Sequence, residues 1–333
     1  MKTRTIIVFC LILLLTGLAL TGFPQGIENN GGYITASSSN YIQFNGGGNM
    51  TLKSTTADRT TLGNTVVNFT GSGTYKLTIP DDSYITVDGN LTLNDSLLVK
   101  ASSSGMASLI TNGTVSGAYS RVEQHLTQNQ WHIISSPVSA AKANVYAGCY
   151  LLKWYEPDST WSYITSLTTP LNVTQGYFVW SASGIGSPTD VKFKGLINTG
   201  NKSATMYYTS SASHAGKGWN LIGNPYPSAI EWNSSWTKTN VDATIYVYDG
   251  TQYLTWNYNL GGYGTKTDGS IPSTQGFWVH ANASSPSLTI PNSERIHSSQ
   301  AFYKGTEAGC DMFNFSITGN DYSDNTIVGF YSG

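Results

Sequence analysis

Trp131-His-Ile-Ile-Ser-Ser-Pro137 returns, altered, as Trp219-Asn-Leu-Ile-Gly-Asn-Pro225, and the two stretches organise most of the chain. Two more anchors keep the same order. Leu151-Leu-Lys-Trp-Tyr155 corresponds to Ile245-Tyr-Val-Tyr-Asp249, and Gln175-Gly-Tyr-Phe-Val179 to Gln275-Gly-Phe-Trp-Val279. The offset grows from 88 to 94 to 100 residues, so the second copy carries small insertions, the later one near Trp256 to Gly269. Within each copy the hydrophobic period is two. Phe277, Val279 and Ala281 share one face, Trp278 and His280 the other, which predicts strands rather than helices. Each copy is therefore expected to be a small antiparallel β-sandwich, the first over 121–210 and the second over 211–292. Short helices are expected at Ser139 to Tyr146 and Ser228 to Trp236, with Ser139 and Ser228 as N-caps.

Upstream, from 30 to 120, short alternating runs are punctuated by Gly and Asn. In Tyr84 to Lys100, Ile85, Leu91 and Leu97 recur every six residues, and Val87, Leu93 and Val99 do the same. Paired inward residues on very short strands, returning at a fixed step, point to the coils of a β-solenoid. The fold expected is all-β: a short solenoid-like zone, two duplicated sandwich-like modules, and the start of a further β-region at 293–333.

Lys2 and Arg4 precede an apolar run from Ile6 to Leu20, and small or turn-forming residues follow to Gly26. This is the layout of a signal peptide, placed at 1–25. The run is shorter than the roughly 20 residues that span a bilayer, so no membrane span is expected after cleavage. Without Lys2 and Arg4, 15 of the 17 Lys+Arg remain against 19 Asp+Glu, a balance that does not suit a nucleic-acid-binding face. Only 11% of residues are charged while 12% are aromatic, which favours a folded β-protein over disorder. Cys149 and Cys310 remain after signal removal. Export permits a disulfide between them, and two separate thiols is the reading preferred.

The search for chemistry finds little. His125, His132, His214, His280 and His297 are scattered without a zinc-ligand spacing, and no cofactor or metal is expected. Glu156 and Asp158 could be imagined as a glycosidase pair, but the turn Tyr155 to Trp161 already accounts for them. Asn320, Asp321 and Asp324 lack the spacing of a calcium loop. The site hypothesis with most content is aromatic. Trp232, Trp236 and Trp256 lie in expected loop or short-helix positions, where flat rings could pack on sugar faces. Trp219 and Trp278, at anchor positions on strands, are expected in the core.

Gly218-Trp-Asn-Leu-Ile-Gly-Asn-Pro-Tyr-Pro-Ser228, followed by Ile230, Trp232 and Gln275-Gly-Phe-Trp-Val279, resembles a module of large secreted and surface proteins of Bacteroidota. Arg295-Ile-His-Ser-Ser-Gln-Ala-Phe-Tyr-Lys304 and Gly319-Asn-Asp-Tyr-Ser-Asp324 resemble the segment that follows it. The likeness runs from about Trp131 to the C-terminus. It implies export, commonly by the type IX secretion system through a C-terminal sorting domain, and implies no activity. The chain stops at Gly333, just after an expected strand at Thr326 to Tyr331, where the relatives continue; it reads either as a fragment or as a natively short protein.

The function expected is an exported, non-catalytic, structural or adhesin-like protein, extracellular or at the cell surface, with a glycan or surface protein as partner. A carbohydrate-binding component of a surface glycan system is the alternative. A polysaccharide-degrading enzyme ranks third, because its solenoid offers only Asp81, Asp82, Asp88 and Asp95 as an acidic cluster.

Overall fold

A computed structural model describes residues 25–29, 34–35, 39, 41–55, 60–70, 75–183, 187–209, 216–260, 264–300, 302–303, 310–319 and 322–331, the segments 25–29, 34–35, 310–319 and 322–331 by backbone alone. The export segment, His214, Asn320, Asp321 and the side chains of Cys310 and Asp324 therefore lie outside the described residues.

The first part is a three-sided parallel solenoid. Its first coil is β1 (Gln25–Asn29), β2 (Ile34–Thr35) and β3 (Tyr41–Phe44). The second is β4 (Met50–Ser54), β5 (Thr60–Leu62) and β6 (Asn64–Val67), and the third β7 (Lys76–Ile79), β8 (Tyr84–Val87) and β9 (Leu91–Leu93). The fourth is β10 (Ser96–Val99), β11 (Ser108–Thr111) and β12 (Val115–Ser116). Like sides stack into three parallel sheets, β1-β4-β7-β10, β2-β5-β8-β11 and β3-β6-β9-β12. Partners such as Thr61 and Thr86, Thr65 and Leu91, or Tyr84 and Ser108 lie 24 to 26 residues apart. The six-residue step in the sequence thus measures one side of a coil, not a whole coil: Ile85, Leu91 and Leu97 sit on three successive sides, and all are buried.

One corner of the triangle shows why Gly and Asn punctuate the runs. Asn64 Oδ1 accepts the Asn90 amide at 2.9 Å, and Asn90 Oδ1 accepts both the amide and the hydroxyl of Thr114, at 3.0 and 2.8 Å. The preceding glycines let the corners touch. A Cβ on Gly89 would sit 2.5 Å from the Asn64 nitrogen, and one on Gly113 2.4 Å from the Gly89 carbonyl oxygen. Each corner amide thereby finds its acceptor on the coil below.

β13 (Ser120–His125) adds to the first sheet parallel to β10 and leads into the first copy. That copy has β14 (Gln130–Ile134), β15 (Tyr150–Tyr155), β16 (Thr160–Tyr163), β17 (Tyr177–Ser181) and β18 (Asp190–Gly195). After β19 (Lys202–Ala204), the second copy has β20 (Trp219–Gly223), β21 (Ala229–Glu231), β22 (Thr237–Thr239), β23 (Val241–Tyr248), β24 (Tyr253–Asn257), β25 (Ser270–Ile271), β26 (Gly276–Ala281), β27 (Ser287–Ile290) and β28 (Arg295–Ile296). A last hairpin pairs β29 (Cys310–Gly319) with β30 (Tyr322–Tyr331). The central sheets have matching orders, β14-β17-β15-β16 and β20-β26-β23-β24, so the duplication read from the anchors is structural.

The short-helix expectations need correction. Ser139 to Tyr146 contains a single 3-10 turn, Ala143–Tyr146, and Ser228 to Trp236 contains the strand β21. Neither serine caps a helix. Ser139 Oγ donates to the Leu196 carbonyl and Ser228 Oγ to the Ala229 carbonyl. The hydroxyls that looked like caps are spent on neighbouring backbone, a competition to which serine is prone.

The two copies meet across a pseudo-two-fold axis. Ile134 bridges to Gln275 while its counterpart Ile222 bridges to Gln175. Ser135 N donates to Thr274 O at 2.8 Å, and Gly223 N to Thr174 O at 2.9 Å, the same bond with the copies exchanged. This is the self-complementary pattern of a symmetric dimer interface, here within one chain. Copy two also docks on the solenoid. Leu109 N donates to Pro227 O at 2.9 Å, and Arg295 donates to Thr111 O and Asn112 Oδ1 at 2.7 and 2.9 Å. Burial pulls the Arg295 guanidinium down to about 10, opposed by Tyr226.

Candidate functional site

Strand alternation gives each central sheet two faces of different character. One face is mainly aliphatic and buried in the module core, with one aromatic ring in each copy: Ile134, Leu151, Tyr177 and Val179 in copy one, Ile222, Ile245, Phe277 and Val279 in copy two. The other is aromatic. Copy one places Trp131, Trp154, Trp161, Phe178 and Trp180 there, and copy two Trp219, Tyr246, Tyr248, Tyr253 and Trp278. The two-fold brings these faces together, so that Trp154 packs on Trp278 at 5.6 Å while its counterpart Tyr248 packs on Phe178 at 5.8 Å.

Where the faces join, a cleft of about 640 Å³ opens, lined by Trp154, Trp161, Gly216, Trp219, Tyr246, Tyr253, Thr255 and Trp278. Trp278 is its most buried ring, at 8% exposure, whereas Trp161 and Tyr253 stand at the rim, at 38% and 46%. The planes of Trp154, Trp161 and Trp219 are inclined 78°, 85° and 87° to that of Trp278. Several polar tips are used internally. Trp154 Nε1 donates to Trp219 O at 2.7 Å, and Trp278 hydrogen-bonds the Tyr253 hydroxyl, whose pKa burial nevertheless raises. Among the described residues no Asp, Glu, His, Lys or Arg lines the cleft, and its surface is mostly aromatic ring.

The tryptophans singled out in the sequence lie elsewhere. Trp232 is fully buried and Trp236 nearly so, packed edge-to-face at 4.7 Å in the copy-two core. Their indole N–H groups donate to Ala243 O and Glu231 O at 2.8 and 2.7 Å. Their expected exposure is corrected for a physical reason: the segment after Pro227 folds inward as β21 and β22, and a buried tryptophan is accommodated when its N–H is satisfied. Trp256 is half-buried and turns to the core side of β24, opposite Tyr253 and Thr255. The structure gathers these three around one core and brings none of them to the cleft. Trp219 and Trp278, expected in the core, do belong to one buried cluster, Trp278 in it and Trp219 packed against it, and they line the cleft as well. The legible signal was the strand alternation itself, which already set Trp278 on the face opposite Phe277 and Val279.

Other expected features resolve as structure. Glu156 is buried, accepting from Thr209 N and Oγ1 and from Gly218 N at 3.0, 2.8 and 2.7 Å, so its carboxylate anchors the segment entering copy two. Cys149 is a free thiol that burial pushes up to about 11, against hydrogen bonds with Ser187 and Ser181. Among the described residues, no group of three or more His, Cys, Asp and Glu is placed to hold a metal.

The Asn-Pro-Tyr-Pro stretch is a buried knot. Asn224 Nδ2 donates to Ser228 O, Ile271 O and Pro272 O, its Oδ1 accepts from Tyr226 N, and the Tyr226 hydroxyl donates to Gly200 O at 2.6 Å. Its residues hold copy two together. A family model described as a domain of unknown function, DUF8693, matches residues 48–331. The chain belongs to this family. The DUF8693 match runs from the second solenoid coil through both copies to the last hairpin, so the solenoid and the cleft-bearing pair are parts of one family unit. No curated protein and no solved structure matches the chain.

Proposed function

We propose that this is an exported, non-catalytic, adhesin-like surface protein of the Bacteroidota type, in which a rigid solenoid carries a paired module that binds a partner through its aromatic cleft. The observation that carries the reading is the cleft: four tryptophans and two tyrosines from both copies, open at a rim formed by Trp161 and Tyr253. Aromatic surface left exposed to solvent is costly to maintain, and such patches mark interaction sites. Among the described residues the lining supplies no carboxylate or imidazole, which favours binding over turnover. The signal-peptide layout and the resemblance of Trp131 onward to secreted modules support export, with type IX secretion as the route proposed.

The test is binding of the purified chain to a panel of glycans and to cell surfaces, beside a Trp161→Ala/Tyr253→Ala variant. Loss of binding in a folded variant is the expected result; retention of all binding, or hydrolysis of a polysaccharide, would overturn the reading. Carbohydrate binding is the second reading, favoured by the flat indole faces. It predicts saturable binding of a defined oligosaccharide to the same cleft.

A further inference from the structure

The cleft's ring geometry narrows the ligand. A pyranose presents one flat apolar face and a ring of hydroxyls, and is best met by a ring stacked parallel to it with polar side chains at its edge. Here three indole planes stand nearly perpendicular to the fourth, so ring faces look at the cleft from different directions. The lining's polar side chains, apart from indole and phenol groups, come down to Thr255. A rounded, weakly hydrated cation fits this description better: it has no hydroxyls to satisfy and is attracted to several ring faces at once, because each carries negative quadrupole potential. Among the described residues no lysine or arginine lines the cleft to repel it, and the whole chain is net negative.

We propose that the aromatic cleft takes a quaternary ammonium group, the trimethylammonium head of choline, held against Trp154, Trp161, Trp219 and Trp278. This rests on the reading of the cleft as the protein's binding site and names its ligand class. The same head could arrive as free choline or on a lipid, and Tyr163, 63% exposed on the same face of β16 as Trp161, extends the aromatic rim beyond the cleft.

The experiment titrates choline chloride and its neutral isostere 3,3-dimethylbutan-1-ol into the full chain, read by tryptophan fluorescence and calorimetry. A cation–π site binds choline about fivefold or more tightly than the isostere. Trp161→Ala, and separately Tyr253→Ala, weaken choline binding several-fold, while Tyr119→Ala, an exposed solenoid ring, leaves it unchanged. Phosphatidylcholine vesicles compared with phosphatidylglycerol vesicles identify the carrier: preferential capture of the former assigns a lipid headgroup, and choline binding without vesicle capture assigns the soluble form. Equal binding of choline and isostere overturns the proposal in favour of a merely apolar cleft. Choline binding untouched by both rim variants overturns it too. Glycan binding at the cleft with no choline binding overturns the ligand class and leaves the proposed function standing, whereas no binding of any probe or surface sinks both.

Discussion

The two copies share a strand order but differ in what closes them. In copy one, β18 leaves its own module and pairs with β13 of the solenoid, from Ser120↔Gly195 to His125↔Asp190. In copy two, the corresponding strand β27 pairs with β19 and β22, around the core that holds Trp232 and Trp236. The aromatic faces diverge as well. Trp131 lies nearly parallel on Phe178, at 5.3 Å and 22°, so that the two rings cover each other, whereas Trp219 meets Trp278 edge-to-face, at 6.4 Å and 87°. One pattern has given two modules that both attach to the solenoid and together form the cleft, and they differ in edge partners and ring orientations rather than in strand order.

The largest effect expected from disturbing this contrast is in the copy-two core. Trp232→Ala removes a fully buried indole and should cost about 3–5 kcal/mol in chemical denaturation. Trp161→Ala at the cleft rim, which gives up ring contacts with Trp154, Phe178 and Trp278, should cost less, about 1–2 kcal/mol, while weakening binding several-fold. If the two losses were equal, the separation of core from cleft would fail. Asn224→Ala comes next. Three carbonyls lose their donor, so about 2–3 kcal/mol is expected. Ser136→Ala at the copy-one counterpart removes only the bond to Val138 O and should cost about 1 kcal/mol.

A smaller effect is expected with pH, and its earliest part belongs to copy one. Burial holds the Cys149 thiol of copy one at about 11 instead of 9, and Tyr177 at about 12 instead of 10. Both groups are favoured neutral in the fold, so their contribution is complete below their unfolded values and is lost as pH rises through the folded ones. Stability should begin to fall above about pH 9 and keep falling to about pH 12, as seen in denaturant midpoints across that range. Cys149→Ser should blunt the early part of this loss, and in the native wild type Cys149 should alkylate slowly at pH 8.

Much of this architecture was legible in the chain. The repeat anchors located both central sheets because their strands are long and alternate cleanly, and Ile85 to Val99 revealed the solenoid because each side of a coil needs an inward apolar pair. The coil length was hidden by corners of unequal length, which made a side look like a coil. The short helices failed because Ser139 and Ser228 bond to backbone in ways that local sequence does not display. The cleft was half-visible: alternation set Trp278 apart from Phe277, but which face would be covered depends on the two-fold contact of Ile134 with Gln275 and Ile222 with Gln175, a long-range event. Trp232 and Trp236 were misplaced for the complementary reason, since a tryptophan in an apparent loop becomes core once the chain folds beneath its sheet.

The most direct test of the account is oxidative footprinting of tryptophans, mapped by mass spectrometry on the native protein. The structure predicts that Trp161 is modified early while Trp232 and Trp236 stay protected until the chain unfolds, and that a bound ligand slows modification at Trp161. Early modification of Trp232 and Trp236, with Trp161 spared, would contradict both the core assignment and the cleft.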